Sequence, residues 1–218
     1  MTSADPPARG RELATASEAE QRAAFVELVL ANPSVAEIVE RMPATSLPQW
    51  YLTAGALFQT VWNLLDGRDP QAGIRDYDLF YFDASDLSYD AEDRAIGQVR
   101  ATLDGLDIPV EVRNEARVHL WYARKFGTPC PPLRSTEDAI DHFPATTCCL
   151  GLRRDQVGTL RVYAPHGFDD LFRGVIQPNP VLAPREVYDA KAARWQKQWP
   201  WLHVLPWPAG RDLPPPTR

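Results

Sequence analysis

Cysteine, long apolar runs and positive charge are all scarce in this sequence. The three cysteines, Cys130, Cys148 and Cys149, are odd in number and lack CxxC or CxxH spacing. They support neither a disulfide framework nor a zinc site, and read as buried structural thiols. No apolar stretch approaches the roughly 20 residues of a membrane-spanning helix, and the opening residues lack the apolar segment of a secretory signal. No membrane partner and a cytoplasmic location are therefore expected. Lys and Arg total 23 against 29 Asp and Glu, a net charge of −6. That balance speaks against an extended nucleic-acid surface while leaving room for a local basic groove.

What is present suits a single folded unit. With 218 residues, 44% of them hydrophobic, the chain can bury one sizeable core. Prolines 200, 206, 208, 214, 215 and 216 mark residues 200–218 as an extended proline-rich tail. Residues 1–16 read as a flexible amino-terminal segment, leaving 17–199 as one domain.

Along that domain, Ser17 and Glu20 resemble a capping box opening a helix that ends near Asn32, and a second helix covers 34–42. Trp50, Tyr51 and Leu52 form a strand that passes through Ala54, Gly55 and Ala56 into a helix carrying Leu57, Val61, Trp62 and Leu65. Strands are expected over 76–83, 108–112, 146–152 and 160–164, and helices over 90–103, 168–172 and 186–199. A helix or helical turn falls within 115–126, and Ser135 offers a fresh helix start. Alternating helices and strands with at least one hairpin give an α/β or α+β domain around a mixed sheet.

Asp76 and Asp78 project to the same side of their strand, roughly 7 Å apart along the backbone, where they could share divalent cations. Mg²⁺ suits such hard oxygen ligands and leaves positions open for substrate phosphates. Asp-x-Asp at a loop–strand junction also serves simply as a turn cap. An upstream small-residue turn opening a helix, whose free amides can bind phosphate, and Glu111 on a later strand strengthen the metal reading. Taken alone, Glu111 fits an exposed salt bridge equally well.

This order of turn, Asp-x-Asp strand and further acidic strand resembles the nucleotidyltransferase superfamily that includes DNA polymerase beta. It is most similar to a bacterial branch labelled nucleotidyltransferase family protein, through Trp50 to Ala56, Asp76-Tyr77-Asp78-Leu79-Phe80-Tyr81-Phe82-Asp83, Val112 to Tyr122 and Tyr163 to Leu171. The resemblance implies a nucleotidyltransferase-type mixed sheet flanked by helices, with Asp76, Asp78 and Glu111 as metal-binding carboxylates. It further implies two Mg²⁺ ions and an NTP substrate whose nucleoside monophosphate passes to an acceptor as pyrophosphate leaves. The acceptor, whether small molecule, protein or RNA, stays open. Superfamily turns usually carry Gly-Gly or Gly-Ser, whereas this chain has Gly55-Ala56, a departure that supports an alternative: a non-catalytic nucleotide- or metal-binding regulatory module.

Gly55 and Ala56 are the candidates to cradle phosphates, and Gln59, one turn into the helix, is a further nucleotide contact. Thr60 and Asn63 more plausibly satisfy backbone or face solvent. Arg113, Asn114, Arg117 and His119 follow the Glu111 strand, and Arg117 is the one chosen to hold an anionic substrate. His119 reads as a satisfied core histidine, Asp83 as a turn cap, and Asp169 with Asp170 as the start of a helix. Trp62 belongs to a core stripe, and Trp195, Trp199 and Trp201 to a carboxyl-terminal helix docking on the sheet.

Overall fold

A computed structural model describes residues 5–209. Its centre is a five-stranded mixed sheet in the order β3-β2-β1-β4-β5, built from β1 (Tyr51–Thr53), β2 (Tyr77–Tyr81), β3 (Val110–Asn114), β4 (Gly151–Arg154) and β5 (Leu160–Tyr163). β1 runs antiparallel to both β2 and β4, β2 pairs in parallel with β3, and β4–β5 is the expected hairpin. The expected fold class stands.

Alternation along β2 divides the sheet into two faces. Tyr77, Leu79 and Tyr81 are buried while Asp78 and Phe80 are only partly covered. Leu52, Leu79, Val112 and Leu152, neighbours across four strands, enter the main core. Packed with them are Phe25 and Leu28 of α2 (Glu18–Leu30), Val35 and Ile38 of α3 (Pro33–Arg41), and Leu57, Val61 and Trp62 of α4 (Gly55–Leu65). The opposite face carries Thr53, Asp78 and Glu111 in one row, because Thr53 pairs with Asp78 and Asp78 with Glu111. Residues directly opposite on paired strands share a face.

Local chemistry explains most boundaries. α2 starts at the expected capping box: the Ser17 N–H donates to Glu20 at 2.9 Å and the Glu20 N–H to Ser17 Oγ at 3.4 Å. Asn32 caps α3 and also donates to Thr60 Oγ1 at 2.9 Å, tying the second helix to α4. Pro109 lies just before β3, where its carbonyl accepts from the Tyr77 N–H at 2.9 Å and its missing N–H costs no ladder bond.

Several expectations need correcting. β3 starts two residues later than expected, and residues 146–148 form a 3-10 turn ahead of β4. Residues 1–16 were expected to be unstructured, yet they contain α1 (Ala8–Leu13). A Cβ on Gly10 would come within 2.6 Å of the Phe172 carbonyl oxygen, so this helix lies flush against the chain beneath it. At the other end, β7 (His203–Val204) pairs in parallel with β6 (Val175–Ile176), and Trp207 is buried against Tyr188 at 5.7 Å between ring centroids. The apolar surface of Trp201, Leu202 and Trp207 holds this segment to the core despite its prolines. The rest of the expected tail, 210–218, lies outside the described residues.

Candidate active site

Three elements position the site. α4 follows β1 through Ala54, whose backbone sits at φ 56, ψ −136, a region that L-residues adopt only under strain. This turn brings Ala54 and Gly55 to the lining of the main cavity, at the helix end whose first amides lack intrahelical acceptors. The turn itself is Ala54-Gly55. Ala56 is fully buried in the core and does not line the cavity, so the phosphate-contact role expected of it is not supported. Gly55 does line the cavity, and a Cβ there would meet Gln59 Nε2 at 2.3 Å, which places the Gln59 amide directly over the turn.

The loop from α4 to β2 delivers Asp76. Asn63 Nδ2 donates to the carbonyls of Pro70 at 3.3 Å and Ala72 at 2.8 Å, and Thr60 Oγ1 to that of Pro70 at 3.3 Å. Thr60 and Asn63 therefore satisfy loop backbone, as expected, and only Gln59 of the three faces the cavity.

The third element, α9 (Arg185–Gln198), closes the other side. Tyr188, Ala192 and Trp195 bury one stripe, with Trp195 against Phe58 at 5.0 Å and Trp62 at 6.1 Å. An adjacent stripe points Lys191, Arg194 and Gln198 into the cavity, joined by Lys197 and by Arg75 of the loop. Reading the sequence missed this cationic face. The signal was available, since residues 191, 194 and 198 recur at helical spacing.

The cavity between these elements has a volume of about 670 Å³, with Asp76, Asp78 and Glu111 on its floor. Asp78 is pushed up to about 7, first by burial and then by the charges of Asp76 and Glu111, against the opposing pull of Lys191 and Arg113. Glu111 accepts from Arg113 Nε at 2.8 Å and from the same guanidinium through a second, shorter contact. Among the described residues, no three carboxylate, imidazole or thiol side chains are grouped so that they could hold a metal ion as they stand.

A second cavity of about 210 Å³ adjoins the first, the two sharing Asp78, Phe80, Glu111 and Lys191 in their linings. Into it faces Glu115, only 5% exposed and pushed up to about 8, chiefly by burial. Glu115 was also missed, because nothing in its local spacing distinguishes it from a surface carboxylate.

The other singled-out residues sort cleanly. Arg117 does not reach the cavity: it forms an ion pair with Glu92, donates from Nε to the Leu87 carbonyl at 3.1 Å and lies over the Tyr89 ring. Its expected role in holding an anionic substrate is thus replaced by a structural one. Asn114 caps the following 3-10 turn and bonds Asp83. Asp83 caps its own turn by accepting from the Ser85 N–H at 2.9 Å, as expected. His119, expected to be satisfied, has a buried Nδ1 with no hydrogen-bond partner among the described residues. Cys148 and Cys149 are buried, whereas Cys130 is only partly so.

Sheet and site define a class: an α/β domain that sets clustered carboxylates against a cationic helix across an open cleft. The chain belongs to the nucleotidyltransferase family, whose model matches residues 40–204. It is similar in fold to a protein solved by NMR and described as revealing a CCA-adding enzyme head domain. That match has a TM-score of 0.66 and 23% identity, covering 88% of this chain and 98% of the other. No curated protein matches significantly. Family and fold together support nucleotidyl transfer as the general chemistry. Among the described residues, no helix is long and apolar enough to cross a membrane.

Proposed function

We propose that this protein transfers a nucleoside monophosphate from an NTP to an acceptor and releases pyrophosphate, with Mg²⁺ held by Asp76, Asp78 and Glu111. The observation that carries this reading is that one cavity is lined by these carboxylates, by Lys191 and Arg194, and by Ala54 and Gly55 at the amino terminus of α4. The donor set suits a hard divalent cation, because Asp76 and Glu111 raise the cost of charging Asp78 and two positive charges would reverse that cost. Glu111 joins the set by exchanging Arg113 for the cation. Two ions are proposed, and when bound they supply polarisation of the phosphate oxygens.

The remaining work falls to the chain. Amides of the Ala54-Gly55 turn and the Gln59 side chain hold the outer phosphates, while Lys191 and Arg194 neutralise their charge and fix their direction. The acceptor oxygen then bonds to the α-phosphorus as the bond to pyrophosphate breaks, and the acceptor proton leaves to solvent. The non-catalytic alternative rested on the Gly55-Ala56 departure, and Ala56 is buried in the core; label transfer separates the two readings.

The test is pyrophosphate release and movement of an α-phosphate label, measured with each NTP, Mg²⁺ and fractionated acceptors. Wild-type protein should transfer label, and Asp78→Asn should lose at least about 100-fold with its circular dichroism unchanged. Wild-type turnover by Asp78→Asn would overturn the assignment.

A further inference from the structure

The smaller cavity differs in character from the chamber it adjoins. Val118, Trp121, Tyr122, Phe126, Leu133 and Leu182 form its walls, and most of them belong to a separate apolar cluster that also takes in Phe80 and Cys130. Its basic side chains have partners in this structure. Arg113 bonds Glu111, Lys125 stacks over Trp121 and Phe126, and His142 Nδ1 lies 2.5 Å from the Asp138 carbonyl oxygen. Lys191 sits at the junction with the larger chamber. Glu115, by contrast, is 95% buried as a residue and lines this cavity. A carboxyl so far removed from bulk water gains when a ligand supplies an N–H or O–H.

We infer that this annex is the acceptor site of the proposed transferase, on which the inference rests, and that it takes a ring-bearing alcohol or amine. Two chambers that meet at Asp78 and Glu111 suit two substrates meeting at one reacting phosphorus. The cationic chamber matches a triphosphate. The annex matches an apolar body, since its volume of about 210 Å³ exceeds the roughly 150 Å³ cavity known to admit a benzene-sized ring. Aromatic walls favour a flat group, and Glu115 receives its donor.

Benzyl alcohol and benzylamine share one ring and differ in charge, so they serve as probes in ligand-observed NMR with Mg²⁺ present. ATP affinity is measured in parallel by calorimetry. Benzyl alcohol and benzylamine should bind wild-type protein and weaken at least about tenfold in both Ala183→Phe, which fills the annex, and Trp121→Ala, which removes one wall. Glu115→Gln should weaken benzylamine more than benzyl alcohol. ATP affinity in Ala183→Phe should stay within about twofold of wild type, which also confirms folding. No ring binding while ATP binds normally would overturn the annex assignment alone. Loss of ATP affinity in Ala183→Phe would place the nucleobase there instead. If wild-type protein binds no nucleotide, the transferase reading fails and this inference fails with it.

Discussion

Asp78 and Glu115 hold protons in the folded protein that the unfolded chain releases, because burial lifts them to about 7 and about 8 from ordinary values of 3.8 and 4.5. Where the native state binds more protons than the unfolded state, stability falls as pH rises. Chelator-treated protein should therefore melt at progressively lower temperature from about pH 5 to about pH 8, and Asp78→Asn should flatten that slope. Thermal unfolding across this range checks the sign, and a melting temperature that rises with pH contradicts it. Ala54 offers an independent test at the same scale. Its positive φ strains an L-residue, so Ala54→Gly should stabilise the protein by about 1 kcal/mol, the relieved strain exceeding the added chain entropy. Denaturant unfolding measures this directly. The strain was not legible in the sequence, where Ala54, Gly55 and Ala56 read alike as one small-residue turn.

Two elements exchanged the roles that local reading assigned to them. The 3-10 turn after β3 carries Arg117, expected at the site, yet its side chain and that of Glu92 are only 10% and 13% exposed and pair with each other. Glu92 also accepts from the Asn114 N–H at 3.0 Å, so the pair fastens α5 (Tyr89–Thr102) to the end of β3. Arg117→Ala should cost roughly 3–5 kcal/mol by leaving a buried carboxylate unpaired. Lys191→Ala with Arg194→Ala should leave stability within about 0.5 kcal/mol per site while weakening NTP binding. Unfolding curves and calorimetry on both variants separate structure from function, and equal stability losses would contradict the assignment. Alternation put Asp76 and Asp78 on one side of their segment, whereas Glu111 joined them through the family resemblance, and its pairing with Asp78 is set by the parallel register of β2 and β3. The face of α9 that lines the same cavity was not sought, because a cationic stripe on a terminal helix looks like a solvated surface until the fold sets it over the sheet. Glu115 depended on tertiary placement altogether.

At the scale of the whole molecule, both ends of the described chain add to the core. Local composition describes a proline-rich end correctly as extended, since proline lacks the N–H and fixes φ, but docking is decided by buried apolar area. Trp207 reaches the core through that area, and α1 does so through its close approach at Gly10. Gly10→Val should accordingly destabilise the protein by about 1–3 kcal/mol through overpacking against Phe172. An unchanged melting temperature would show that α1 does not dock. The central claim concerns how the two sides of the cleft act together. The most direct measurement is a calorimetric titration of wild-type protein and Asp76→Ala/Asp78→Ala with each of the four ribonucleoside triphosphates, with and without Mg²⁺. The account predicts binding that requires both the cation and the aspartates. Nucleotide binding indifferent to both, or no binding of any triphosphate to wild-type protein, would contradict it.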